Sequence, residues 1–456
     1  MKHAVVVLGA GSAGYAAASA AHRYGADVGV VDHGPLGGVC ILRGCMPSKI
    51  LLRSGELMQL MRRTAEFGLL PVEPRADLAA IINRKERLVR DFARHRITSL
   101  RDGRFRLYEE TGVFLSPHEL RVGSEVLEAE RFIIATGSVP RHVPIPGLDD
   151  VRYITSDEAL DLRQQPASLL VLGGGPVALE MAQFFQRIGT QVTLIQRSHH
   201  VLSGGDEDMA RPVEAHLRQE GMEVWTGTQL RHFTQEGDAK VAAFVHQRRE
   251  RRASAQEILQ ALGRRANIEG LGLEAAQVRC DHGHVVVNAE MRTSQPHIFC
   301  VGDANGQQEI VHTAIEQAEV AAYNATHPDR PPHRMDYRLK VHVTFTDPAV
   351  ASVGLSEKEC QFQDIPYLVA SYPFDDHGKS ITLGELQGHV KLLCAPRSGE
   401  LLGAHIVGPQ AGELIHELIA VMHFRGTVRD LLEMPHYHPT LAEIVTYPAE
   451  ELTARL

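Results

Sequence analysis

Several things are missing from this chain, and each absence excludes a class of protein. No apolar run approaches the roughly 20 residues that a membrane-spanning helix needs. The first such run, Ala4 to Leu8, passes at once into glycines. That run reads as the opening strand of a nucleotide-binding motif and not as the core of a signal peptide, so a cytoplasmic protein is expected. Cysteine is scarce: six in 456 residues cannot staple a disulfide scaffold. In a reducing compartment, a close cysteine pair is more often catalytic or metal-binding than structural. Basic excess is missing too. Lys and Arg total 47 against 56 Asp and Glu, a net charge of −9, which argues against broad nucleic-acid binding. The one basic cluster, His246 to Arg252, reads as a solvated turn or edge strand.

What remains is an ordinary globular composition, 44% hydrophobic and 23% charged, in a chain long enough for two to four domains. One internal similarity stands out. Residues 4–32 read as strand, Gly-rich turn, Ala-rich helix and strand, and residues 168–196 read the same way. Two dinucleotide-binding units, and so two bound nucleotides, are predicted. Helical periodicity covers 50–100, short strands fill 104–135 and 222–262, and Ile298 to Asp303 is a buried strand running into a polar turn. A Pro-rich linker at 328–333 precedes a separate α+β domain over 335–456.

The first turn is Gly9-Ala10-Gly11-Ser12-Ala13-Gly14, with Asp32 ending the second strand. Glycines allow close backbone approach, the helix N-terminus receives a pyrophosphate, and the carboxylate reads ribose hydroxyls. The second turn is Gly173-Gly174-Gly175-Pro176-Val177-Ala178, in which Ala178 replaces the third glycine and loosens the helix–strand contact slightly. Its second strand runs into Gln196-Arg197, with no carboxylate. A neutral Gln196 does not repel a ribose 2′-phosphate, and Arg197 with His199 and His200 could attract one. NADPH is therefore favoured over NADH, with the alternative that Arg197 is a solvated loop residue.

Cys40-Ile41-Leu42-Arg43-Gly44-Cys45 is the third motif. Residues five apart on an ideal helix are separated by roughly 7.5 Å along the axis and about 140° around it, too far for a disulfide. A redox pair would need a distorted first turn, which Gly37, Gly38 and Gly44 permit. A metal site or inert thiols are the alternatives; with no second Cys pair for a four-ligand site, no metal is expected.

The stretch Gly37-Gly38-Val39-Cys40-Ile41-Leu42-Arg43-Gly44-Cys45-Met46-Pro47-Ser48-Lys49 resembles the redox signature of the class I pyridine nucleotide–disulfide oxidoreductases. Ala135-Thr136-Gly137, Leu262-Gly263-Arg264-Arg265, Val301-Gly302-Asp303 and Phe345-Thr346-Asp347-Pro348 resemble further motifs of that family, in its order and over nearly the whole chain. The resemblance implies an α/β glutathione reductase-like fold. FAD would lie on residues 1–148 and 264–330, NAD(P) on 149–263, and a C-terminal interface domain on 333–456 would make a homodimer with shared active sites. It places FAD on Gly9, Gly11, Gly14, Asp32, Thr136, Gly137, Gly302 and Asp303, and NAD(P) on Gly173, Gly175, Ala178, Gln196, Arg197 and Gly263. Cys45 becomes the flavin-proximal cysteine and Cys40 the interchange thiol. In His438-Pro439-Thr440-Leu441-Ala442-Glu443, His438 shuttles a proton and Glu443 orients it, serving the partner's disulfide. Lys49 and Glu180 would pair beside the flavin.

Some positions depart from the family pattern. Pro176 stands where an aromatic lid over the nicotinamide is usual, and Ile41-Leu42-Arg43 replaces commoner residues between the cysteines. Cys280, Cys300, Cys360 and Cys394 match no redox motif and read as core or incidental. The last cysteine is Cys394, so the C-terminal Cys pair that mercuric reductases and large thioredoxin reductases need is lacking, which argues against both. The His438 motif resembles that of dihydrolipoyl dehydrogenase, whereas Ala178 and Gln196-Arg197 resemble the NADPH-using reductases. A dihydrolipoyl dehydrogenase-like enzyme is the favoured reading. An NADPH-dependent disulfide reductase and a non-catalytic flavoprotein scaffold are the alternatives.

Overall fold

The computed structural model describes residues 1–456. The chain divides into two compact units: residues 1–50, 82–142 and 263–336 in the first, and 51–81, 143–262 and 337–456 in the second. No helix is long and apolar enough to cross a membrane.

In the first unit, β1 (Lys2–Leu8), α1 (Ser12–Arg23) and β2 (Val28–Val31) form the opening strand–helix–strand. β1 is flanked in parallel by β2 and by the long strand Glu125–Ile134, and β2 continues in parallel to Arg106–Tyr108. Ile298–Cys300 joins the other edge of Glu125–Ile134, also in parallel, and an antiparallel pair, Gly112–Ser116 and Glu119–Val122, completes the seven-stranded sheet. Val5, Val6, Val7 and Leu8 are buried, as a parallel strand covered on both faces requires. α1 and the helix Val311–Thr326 pack together; their alanines permit the close approach.

The second unit repeats the parallel plan in four strands, in the order Glu223–Trp225, Gln191–Ile195, Ser168–Leu172, Glu257–Gln260. A three-stranded antiparallel meander follows, whose edge strand Arg249–Ala255 carries the basic run as an exposed edge. A five-stranded antiparallel sheet over 341–408 is backed by the helix Ala411–His423, an α+β arrangement. Its buried core includes Val353, Phe374, Leu392, Ile406, Ile415 and Leu418.

One expectation is modified. Residues 50–100 are two helices, α3 (Cys45–Arg62) and α4 (Leu78–Leu100). The break carries Gly68 at φ 74°, Pro71 and Pro74, none of which continues a helix. The Pro-rich segment is irregular but pinned. His333 stacks on Tyr323 at 3.5 Å between ring centroids, and its backbone bonds the Asn324 side chain.

Candidate active site

The first Gly-rich turn is closed by backbone contact. Gly9 has φ 102°, and a Cβ there would lie 2.4 Å from the Ala135 carbonyl oxygen; one on Gly14 would lie 1.8 Å from the Gly9 carbonyl oxygen. α1 starts with Gly11 as its N-cap and no acidic residue in its first turn, so its unpaired N–H groups and positive end are open to an anion. Asp32 accepts from the Ala10 N–H at 2.6 Å on Oδ2 and from the Gly34 N–H at 2.7 Å on Oδ1. Each oxygen keeps a lone pair for a ribose hydroxyl. Thr136 Oγ1 is buried without a partner, and the space beside Gly137 is open. On the facing loop Asp303 accepts from Ser138 Oγ at 2.6 Å, and Ser138 Oγ in turn accepts from Arg264 Nε at 2.8 Å. Gln317, fully buried, receives the Gly302 N–H at 2.7 Å and Asn305 Nδ2 at 3.0 Å. This collection of glycine cradle, helix terminus, paired carboxylates and an unpartnered hydroxyl fits a dinucleotide such as FAD.

The cysteine pair is built onto that turn. Cys40 lies on the short helix α2 (Gly38–Leu42) and Cys45 opens α3, with Arg43 and Gly44 breaking the helix between them. The distorted turn expected from the spacing is therefore present. A Cβ on Gly38, at φ 75°, would lie 2.4 Å from the Gly11 Cα, so only glycine lets the cysteine segment dock on the nucleotide loop. A Cβ on Gly44 would meet the Val39 carbonyl oxygen at 3.0 Å. Both thiols are half-buried. A hydrogen bond with Cys45 pushes the Cys40 thiol far above its usual range, with burial adding to the effect; Ser12, by a hydrogen bond, and Arg96, by its charge, pull the other way. Arg96 is anchored over the Tyr15 ring at 4.1 Å.

The second Gly-rich turn has the same strand-end closure, a Cβ on Gly173 falling 2.5 Å from the Ala261 carbonyl oxygen. Pro176, exposed, occupies the first helical position after the N-cap Gly175, where its fixed φ suits a helix start. Ala178 is fully buried, and Gln196 packs against Gly174. Arg197 is exposed and has no acidic partner, whereas His200 sits 3.0 Å from Glu207 and 3.4 Å from Glu214. Of the basic residues expected there, His200 is thus already held by carboxylates. Gly263 has φ 102° and its carbonyl accepts the Arg141 N–H at 3.0 Å.

Near the C-terminus, His438 Nδ1 lies 3.1 and 3.0 Å from the two oxygens of Glu443. A carboxylate can only accept, so Nδ1 carries the proton and Nε2 is left to act. The His438 side chain is 78% exposed, while that of Glu443 is 10% exposed. Glu180, buried on the helix Pro176–Ile188, accepts the Phe345 N–H at 3.0 Å. Lys49 lies half-buried on α3, in the first unit, and Glu180 in the second.

Ser138, Gln317, Arg96 and His377 escape a reading by motif, because each acts through a contact distant in sequence. Arg264 lies within a quoted motif, but its grip on Ser138 does not show there. His216, Glu220 and Asp347 bring potential ligand atoms within 4.8 Å of one another. Arg187 is ion-paired to both Glu220 and, at 2.6 Å, Asp347, which makes the cluster a closed ion-pair network.

Comparison with known proteins agrees with this geometry. The family described as pyridine nucleotide-disulphide oxidoreductase matches residues 3–319, and its dimerisation domain matches 341–449. A mercuric reductase of Streptomyces lividans is 35% identical over 411 residues, covering 88% of this chain and 86% of the relative. A dihydrolipoyl dehydrogenase of Bacillus subtilis is 32% identical over 411 residues, covering 89% of each. Among solved structures, the HOCl-induced flavoprotein disulfide reductase RclA from Escherichia coli superposes with a TM-score of 0.86 over 98% of this chain and 99% of that one, at 21% identity, a likeness of fold.

Proposed function

Because the chain belongs to the pyridine nucleotide–disulfide oxidoreductase family, whose members use FAD and NAD(P)H, we propose that it is a dihydrolipoyl dehydrogenase-like enzyme acting on lipoyl groups through Cys40 and Cys45. The observation that carries the reading is the interacting pair of thiols, Cys40 on α2 and Cys45 at the start of α3, on a segment docked against the first Gly-rich turn. When bound, the flavin supplies two-electron exchange between the nicotinamide and the cysteine pair. Residues 1–148 and 264–330 would hold it, through Gly9, Gly11, Gly14, Asp32, Thr136, Gly137, Gly302 and Asp303. Residues 149–263 would take NAD(P), through Gly173, Gly175, Ala178, Gln196, Arg197 and Gly263. Lys49 and Glu180 are assigned to the flavin's side of the reaction. Residues 333–456 form the interface of a homodimer in which His438 serves the partner's cysteines.

The chain's own chemistry is thiol–disulfide exchange. In the direction of substrate reduction, His438 Nε2 takes the Cys40 proton, and the Cys40 thiolate attacks one sulfur of the substrate disulfide. A mixed disulfide forms, and the departing thiolate recovers the proton from His438. Cys45 then gives its proton to His438 and attacks the Cys40 sulfur; the second substrate thiolate leaves, takes that proton from His438, and the Cys40–Cys45 disulfide remains. Oxidation of a dithiol runs through the same steps reversed. Glu443 keeps the His438 ring in its working tautomer and stabilises the imidazolium. With the Cys40 thiol pushed up by Cys45 and by burial, a base of this kind favours the attacking thiolate.

A second reading rests on Gln196 and the unpaired Arg197, which favour NADPH and so a reductase of a small or protein disulfide. Steady-state turnover of the FAD-loaded enzyme separates the two. Dihydrolipoamide with NAD⁺ or NADP⁺ is compared with NADPH plus oxidised glutathione. Rapid dihydrolipoamide oxidation is the expected result; negligible lipoamide turnover beside fast NADPH-driven glutathione reduction overturns it.

A further inference from the structure

His377 is the most buried histidine near the His438–Glu443 pair, with no exposed surface. It precedes the short helix Gly378–Leu383, and its Nδ1 lies 2.8 Å from Ser380 Oγ, itself fully buried. Its Nε2 lies 3.4 Å from Glu443 Oε1, an ion-pair distance at which no hydrogen bond is formed, and has no other polar partner. Glu443 therefore stands between two imidazoles, one exposed and one sealed in the core. If Ser380 donates to Nδ1, the proton of a neutral His377 sits on Nε2 and faces the carboxylate.

We propose that His377 is a positioning residue for His438, acting through Glu443. Its Nε2, 3.4 Å from one carboxylate oxygen, attracts that oxygen electrostatically and so biases the plane that Glu443 presents to His438 Nδ1. The inference rests on the reading of His438 as the proton carrier. A carboxylate at the end of a flexible side chain is otherwise bonded only to the exposed group it is meant to orient. Burial favours the uncharged form of His377, outweighing the pull of Glu443, and His438 adds to the lowering. The other groups around it agree with a neutral ring. Tyr447 meets it edge-on at 6.2 Å, and Tyr372 stacks on Tyr447 while donating to Asp376 at 2.9 Å. A neutral donor orients Glu443 without competing for its charge, whereas a second cation would draw the carboxylate away from His438.

The test uses the FAD-loaded dimer and three replacements. Gln can reach Glu443 with an amide N–H at about the place of Nε2. Asn keeps a polar atom near Ser380 but falls short of Glu443, and Leu removes both. Turnover of dihydrolipoamide is expected to fall about tenfold in His377→Leu and His377→Asn, and to stay within about threefold of the parent in His377→Gln. Alkylation of the reduced dithiol enzyme by iodoacetamide gives a second readout. Deleting the donor concentrates the charge of Glu443 on His438, so the upper limb of the pH profile moves to higher pH in the Leu and Asn variants only. Should the Leu variant fail to fold, the Asn–Gln contrast carries the same information. Parent-like turnover and profile in Leu and Asn overturn the proposal, as does a Gln variant as impaired as Leu. His438→Gln separates the two levels. If it leaves the alkylation profile unchanged, the proton-carrier reading fails and the positioning role with it. If it alters the profile while His377→Asn does not, the positioning role alone fails.

Discussion

The two Gly-rich turns share one plan and differ in tightness. Both place a glycine at strongly positive φ, 102° at Gly9 and 115° at Gly173, against the carbonyl that ends a neighbouring strand. The first then adds Gly14 packed on Gly9, a carboxylate bonded to two loop N–H groups, and a cysteine segment docked on Gly11. The second substitutes Ala178, a neutral Gln196 and an exposed proline. A closed, multiply bonded cradle suits a nucleotide that stays, and a more open one suits a nucleotide that comes and goes. The same family of turn is thus tuned by a few side chains and not by its backbone plan.

Four changes would break or sharpen that contrast, from the largest effect down. Cys45→Ser removes the thiol attached to the closed turn, and dihydrolipoamide turnover should fall by at least about 1000-fold. The yellow holoprotein should also no longer redden with limited reductant. Gly14→Ala drives a Cβ into the Gly9 carbonyl and should cost about 3 kcal/mol with loss of retained flavin. The mirror change Ala178→Gly should cost about 1 kcal/mol and leave flavin content intact. Thermal unfolding with flavin quantification measures both; equal costs would remove the distinction between the turns.

Beyond the turns, the second unit stakes its stability on a buried cation. Lys391, 2% exposed, is ringed by Asp206 at 2.8 Å, Asp208 at 2.9 Å and Glu357 at 3.1 Å. Despite opposing burial, Lys391 helps hold the carboxyls of Asp206 and Asp208 below their usual range. Carboxylates so lowered contribute stability above their unfolded pKa of about 4 and lose it as pH falls through the folded value. Lys391→Met should therefore cost about 3–5 kcal/mol at neutral pH, with the gap to the parent closing in acid. Denaturant titrations at neutral pH and below about pH 4 check this. On the open turn, Arg197→Ala should lower kcat/KM for NADPH about twofold to threefold, the smallest effect of the set, and spare NADH, read from parallel kinetics with both nucleotides.

Much of the candidate site was legible because its signals are local. The two turns need glycine where φ is positive, the Cys pair needs a broken helix, and the spacing of His438 and Glu443 lets a loop and a short helical turn bring them together. The helical periodicity over 50–100 is present as two helices, Cys45–Arg62 and Leu78–Leu100, parted by a break that carries Gly68, Pro71 and Pro74. The unread part consists of contacts between distant segments: Ser138 and Arg264 on the Asp303 loop, Gln317 beneath it, Gly38 on Gly11 and His377 on Glu443. Nothing near those residues in sequence marks them.

By itself, then, the sequence determined the repeated Gly-rich turns, the close cysteine pair, the histidine–carboxylate pair and the family. Each depends on backbone conformations and short spacings that a few neighbouring residues dictate. Only the tertiary structure decided which buried side chains brace those groups, how far Cys45 and burial push up the Cys40 thiol, and which cations are already committed to carboxylates. Those outcomes depend on burial and on partners that meet only when the chain has packed, where a hydrogen bond or charge acts with a strength that exposed groups do not have.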